Sequence, residues 1–208
     1  MALVVGLSSV VVGAYERTLD PRAIEQALSI GLSRIDADRE RFHRPYQTIV
    51  NRAPVDWIDI VTPFRRVALE AESRTRAGAR LFGQREALEA LASAPERVDV
   101  IVELSFHPLN TFVGVPDYGV VLMQDGLPLQ PQNIERVPRF GPRVGGTLLP
   151  YPWRGGVRIP RGSEPLLGGT IVAQFDGAQL TPDGTYDVVI ADAGKELARG
   201  RVNFGSVR

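Results

Sequence analysis

The sequence has no cysteine. That absence removes a disulfide frame, a thiol nucleophile, a cysteine zinc site and a lipidated N-terminal cysteine, without naming a compartment. Lysine is almost missing too: of 24 basic residues only Lys195 is a lysine. A GC-rich genome accounts for this better than a binding role for every arginine, because arginine codons are GC-rich. Net charge is also lacking, with 24 acidic residues against the 24 basic ones. Bulk electrostatics therefore gives the chain no reason to seek nucleic acid or anionic lipid. The apolar stretch at residues 2–14 (ALVVGLSSVVVGA) is too short to cross a bilayer.

What remains is globular. Apolar residues at 44% and charged residues at 23% exclude wholesale disorder. A length of 208 residues suits one generous domain, or a sandwich carrying a helical insertion. The 21 glycines and 16 prolines concentrate in the second half, which favours short strands and frequent turns there. Residues 1–19 read in two ways. They have the length of a signal-peptide core, with Val12-Gly13-Ala14 as a cleavage site and no basic leader, or they form buried strands bent at Gly6 to Ser9.

Residues 20–96 read as mostly helical, with two short extended segments. Asp20 is a good N-cap and Pro21 suits the first helical position. Ile24, Ala27, Leu28, Gly31 and Ile35 then form an apolar stripe, prolonged by a polar tail through Arg41 and stopped by Pro45. Tyr46–Asn51 and Val55–Val61 are extended. Thr62-Pro63 repeats the cap-plus-proline signal, with Phe64, Val67, Ala68 and Ala71 on one face and Gly78 as terminator. A third helix spans Gln84–Ala94, with Ala87, Leu88 and Leu91 inward.

From Arg97 the period changes to two, and residues 97–208 read as an antiparallel sandwich. Val98, Val100, Val102, Leu104 and Phe106 alternate with a more polar, acidic side. Burying those five is worth roughly 8–15 kcal/mol before entropy, so a polar replacement at Val102 is expected to be severe. Further strands are expected at Tyr118–Gln124, Thr170–Phe175, Tyr186–Ala191 and Ala198–Phe204, with turns at Asp125-Gly126 and Ala193-Gly194. Leu127–Pro165 reads as long connections with short edge strands.

The run Leu180-Thr-Pro182-Asp-Gly-Thr-Tyr186-Asp-Val188-Val-Ile190 resembles the corner before the penultimate strand of immunoglobulin-like and fibronectin type III domains. The resemblance covers residues 165–207. It implies that Leu180, Pro182 and Tyr186 form a structural corner, with the ring in the core and its hydroxyl bonded back to the turn backbone. It says little about function. There is no cysteine pair framing Trp57 or Trp153, so an antibody-type domain is not implied. The fold class expected is α+β: an immunoglobulin-like sandwich with an N-terminal or inserted helical subdomain of about three helices.

The sequence offers few chemical sites. Asp36, Asp38 and Glu40 imitate the opening of a calcium loop, but Arg41 and Gln47 stand where glycine and a carboxylate are needed. His43 and His107 lack metal-ligand spacing and read as structural or surface histidines. Ser9 and Ser163 lie outside any nucleophile elbow. No cofactor or metal is expected. The most unusual composition is an arginine- and aromatic-rich stretch holding Arg136, Arg139, Phe140, Arg143, Tyr151, Trp153, Arg154 and Arg158, with Glu135 its single acid. Arginine interleaved with aromatics suits a protein interface better than nucleic acid, against a background of arginines dispersed over a loop surface.

These readings point to a non-enzymatic bacterial cell-envelope protein, extracytoplasmic, that serves as an interaction or structural module. Its partners would be other proteins, including a membrane-associated assembly reached through a partner, and not nucleic acid. Arg154→Ala with Trp153→Ala is expected to weaken association while leaving the melting temperature nearly unchanged. The rival reading is an extracytoplasmic hydrolase using carboxylates on the β-rich scaffold, with Asp56, Asp59, Asp99 and Glu103 as first suspects.

Overall fold

In the computed structural model, which describes residues 15–78, 82–92, 95–107, 109–141 and 164–208, four helices and nine strands form a mixed α+β architecture among those residues. Helix α1 (Pro21–Gly31), helix α2 (Asp36–His43) and a 3-10 turn (Arg44–Tyr46) precede strands β1 (Gln47–Arg52) and β2 (Val55–Val61). Helices α3 (Pro63–Arg76) and α4 (Gln84–Ala92) follow, and then β3 (Arg97–Ser105), β4 (Gly119–Gln124), β5 (Leu127–Leu129) and β6 (Asn133–Phe140). The chain closes with β7 (Leu166–Asp176), β8 (Thr185–Asp192) and β9 (Lys195–Asn203).

The capping residues act as their chemistry requires. Asp20 accepts from the N–H of Ala23 at 2.7 Å, and Thr62 accepts from the N–H of Arg65 at 3.2 Å. The polar tail, however, does not prolong α1. That helix ends at Gly31, Ile35 is exposed, and α2 starts afresh at Asp36, which makes four helices rather than three. Ser33 supplies the reason, because its hydroxyl accepts from the N–H of Ile35 at 3.2 Å and this local bond competes with helical continuation. Gly31 sets how closely α1 and α3 approach: a Cβ there would lie 2.2 Å from the carbonyl oxygen of Ala68. In α4 the inward line is Ala87 and Leu91, whereas Leu88, expected inward, is half exposed. The helices bury their own apolar cluster, centred on Ile24, Leu28, Phe64, Val67 and Phe82.

The strands form two antiparallel sheets, ordered β1-β2-β3-β7-β6 and β5-β4-β8-β9. Inward residues of both sheets share one core, an arrangement compatible with a β-sandwich. Val98, Val100, Val102 and Leu104 of β3 are fully buried, lying in register with Phe175, Ala173 and Ile171 of β7 and with Ile58 and Ile60 of β2. From the other sheet Val120, Leu122, Val188, Ile190, Ala198 and Val202 meet them. The acidic side of β3 is less open than its pattern implies. Asp99 is buried, with Arg66 of α3 at 3.0 Å and Arg97 at 2.9 Å. The Asp125-Gly126 and Ala193-Gly194 turns both place two successive residues at positive φ, as tight hairpins with right-twisted strands require. β5 and β6 are edge strands, and β6 is longer than the composition of its region indicates.

Helices α3 and α4 are inserted between β2 and β3, which are themselves paired neighbours, so the helical lobe occupies one end of the sheets. Phe42 packs against both apolar clusters. Tyr46 and Arg208 reinforce the junction: the Tyr46 hydroxyl donates to the Arg208 carbonyl at 2.9 Å, and the Arg208 guanidinium sits 4.7 Å over the Phe64 ring. The 180–186 corner closes the same end. Leu180 and Tyr186 are buried, Pro182 is half-buried, and the N–H of Thr181 donates to the Tyr186 hydroxyl at 2.8 Å. The Tyr186 ring meets Phe204 edge-on at 5.4 Å. Residues 1–14, read above as signal-like or stranded, lie outside the described residues.

Replacing Tyr186 with phenylalanine keeps the ring and removes the acceptor of the Thr181 N–H. The expected cost is about 1–2 kcal/mol, read as a lower urea midpoint at unchanged slope. An unchanged midpoint would detach the corner from the stability of the fold.

Candidate functional site

Opposite the helical lobe, the sheets end in the β3–β4 connection, the start of β7 and the end of β6. This end carries apolar side chains in water: Leu109 is 83% exposed, Phe112 43%, Val113 94% and Phe140 46%. The connection that presents three of them is braced rather than loose. The Asn110 side-chain amide donates to the carbonyls of His107 (2.6 Å) and Leu166 (2.7 Å), while its oxygen accepts from the N–H of Phe112 at 2.9 Å. His107 Nδ1 accepts from the N–H of Leu109 at 3.2 Å, which gives this histidine a turn-holding role. The Phe112 ring rests edge-on against Phe106 at 5.1 Å, so the loop is anchored on one side.

Three of the eight interface residues expected from the sequence fall among the described residues, namely Arg136, Arg139 and Phe140. Phe140 belongs to the exposed apolar end. The two arginines are spoken for: Arg136 pairs with Asp117 at 2.5 Å and donates to the Tyr118 carbonyl at 3.1 Å. Arg139 bonds Glu103 and the Leu104 carbonyl, each at 3.0 Å. Arg143, Tyr151, Trp153, Arg154 and Arg158 lie outside the described residues. Leu109, Phe112 and Val113 were not foreseen. They lie in the stretch Leu-Asn-Thr-Phe-Val between Pro108 and Gly114, two residues that mark a loop rather than a strand.

The second notable constellation is polar and lies in the helical lobe. Glu72 of α3 is buried and faces two guanidinium groups and an imidazole: Arg39 Nε at 3.2 Å, Arg76 at 2.5 Å and His43 Nε2 at 3.1 Å. Arg65 Nε donates to His43 Nδ1 at 3.2 Å, while its Nη1 bonds Asp59 and the carbonyl of Ile60. Because a guanidinium can only donate, His43 Nδ1 is an acceptor and the ring proton sits on Nε2, given to Glu72. Both ring nitrogens are thus occupied, which fits a holding role better than that of a general base. Clefts of about 440 and 340 Å³ flank the ring, lined by Asp36, Arg39, Glu40 and Arg76 on one side and by Arg44, Gln47 and Arg65 on the other.

The carboxylates suspected of hydrolytic work are each held separately. Ser105 Oγ donates to Asp56 at 2.6 Å, Arg65 pairs with Asp59, Arg66 with Asp99, and Arg139 and Thr170 with Glu103. Register places Asp59 diagonally beside Glu103 on the outer face of the larger sheet, yet each carries its own guanidinium. Asp36 and Asp38 sit on helix α2, paired with Arg39 and Arg41. Among the described residues no group of three or more His, Cys, Asp or Glu side chains is placed to hold a metal ion, and no helix is long and apolar enough to cross a membrane.

Asn110→Ala would remove three hydrogen bonds from the presenting loop. The expected outcome is faster hydrogen exchange at the Phe112 amide and a stability loss of about 1–3 kcal/mol. Unchanged exchange there would mean that Asn110 does not brace the loop.

Comparison of the chain with protein-family models, with curated proteins and with solved structures finds no match in any of the three.

Proposed function

We propose that this protein is a non-enzymatic interaction or structural module of the bacterial cell envelope, a subunit of a larger assembly, built on an immunoglobulin-like sandwich. The single observation that carries the reading is the exposure of Leu109, Phe112, Val113 and Phe140 at the end of the sheets that the helices leave free. Large apolar side chains held in water by a braced loop lose nothing in order when a partner covers them, so little of the binding free energy is spent on ordering. Arg136 and Arg139, already neutralised by Asp117 and Glu103, add polar rim rather than a positive field, which favours a protein partner over nucleic acid.

Strand order supports the immunoglobulin-like assignment. Strands β2, β3, β7 and β6 take the places of A, B, E and D in such a domain, and β5, β4, β8 and β9 those of C′, C, F and G. The Tyr186 corner then stands at the start of strand F, where that fold has its own. β1 is an additional edge strand. Placement outside the cytoplasm rests on the apolar stretch at residues 2–14.

The test is the combined variant Leu109→Ser, Phe112→Ser, Val113→Ser. Copurification from native membranes or periplasm is expected to lose a partner that the wild type retains. The exposed changes at 109 and 113 should each alter stability by no more than about 0.5 kcal/mol. Retention of every partner would sink the surface assignment. Polymer hydrolysis by the wild type that disappears in Glu103→Gln would replace this reading with the hydrolase.

A further inference from the structure

Helix α2 is held to the molecule in an unusual way. Its eight residues include none that is buried, and its N-cap makes no side-chain hydrogen bond. A helix this short and polar does not persist by its own propensity. It stays in place through the Phe42 ring, 5.9 Å from Phe64 and 5.3 Å from Tyr46, and through Arg39 and His43, both bound to Glu72 of α3. Among these anchors only His43 changes its hydrogen-bonding sense near neutral pH.

The geometry around His43 leaves a second proton no place. It would have to sit on Nδ1, where the Arg65 Nε–H already points from 3.2 Å, so that donor would face donor and cation face cation. Arg65 has little freedom to withdraw, being buried and tied by Nη1 to Asp59 and the Ile60 carbonyl. The charged groups around the ring come from every neighbouring element: Arg39 and Glu40 from α2, Arg44 from the 3-10 turn, Arg65, Glu72 and Arg76 from α3, and Asp59 from β2. Glu72 favours the proton but is already shared with Arg39 and Arg76.

We propose that α2 is a latch which protonation of His43 releases, uncovering the sides of the Phe64 and Tyr46 rings that Phe42 packs against. Burial first, and the Arg65 charge second, hold the docked histidine's pKa below its ordinary value, against the pull of Glu72. The released ring returns to that ordinary value, about 6.5. Release therefore takes up a proton. Docking is fully favoured above pH about 6.5 and is lost as the pH falls toward the lowered pKa of the docked ring, with opening gaining about tenfold per pH unit, the slope of a one-proton event.

Amide hydrogen exchange on the full chain tests this between pH 8 and pH 5, with intrinsic rates divided out. The wild type is expected to lose protection in residues 36–43 at about tenfold per pH unit below 6.5, while Val100 and Val102 of β3 keep theirs. His43→Gln supplies an acceptor and a donor that do not titrate, and its α2 protection should be independent of pH. Three outcomes would overturn the latch: constant wild-type protection in α2, parallel loss in β3, or the same pH dependence in His43→Gln. The first two are read from the wild type alone, so the test stands even if the variant does not fold.

Discussion

Everything about the layout follows from where the α3–α4 excursion begins and ends. It leaves β2 at Val61 and returns at Arg97, and the two strands are hydrogen-bonded neighbours, with Val61 opposite Asp99. Adjacent strands lie about 5 Å apart, so both ends of the helical hairpin are pinned at one end of the sheets. The lobe has to stack there, and α1 joins it through the close contact at Gly31. The polar seam between lobe and sheets is consequently crowded with charge: Arg65 with Asp59, Arg66 with Asp99, and Thr62 with the Arg208 carbonyl. Among the described residues the other end carries no helix, and the exposed apolar side chains stand there.

Elements governed by near neighbours in the chain were legible beforehand. The caps at Asp20 and Thr62, the alternation of β3, the two hairpin turns and the Leu180–Tyr186 corner each depend on residues within one or two turns of each other. What escaped depends on distant partners or on a local bond competing with a pattern. The hydroxyl of Ser33 outbid the apolar stripe that ran on to Ile35. β6 carries Pro138 and several charges and acquires strand character by lying along β7, a pairing invisible in a single sequence.

The site was less legible than the fold. Arginine and aromatic content drew the reading to residues 136–158, and Phe140 does lie at the exposed end. The companions of Phe140 come from the β3–β4 connection, whose apolar residues gave no periodic signal. The ion cluster at His43 was hidden for another reason. Its members come from α2, α3 and β2, and nothing in the spacing of His43, Asp59, Arg65 and Glu72 announces that they meet.

One edge of the larger sheet limits how the molecule can assemble. Among the described residues β6 is a border strand, yet Pro138 has no N–H to offer an incoming strand, and Arg136 lies in register with buried Ile171, setting a guanidinium on the core side. Natural sheets use both devices to prevent strand addition. The opposite border, β1, runs beside β9, with the Thr48 hydroxyl donating to the Arg201 carbonyl at 3.1 Å. Backbone ladders that could extend without limit are thereby disfavoured at both borders of the larger sheet.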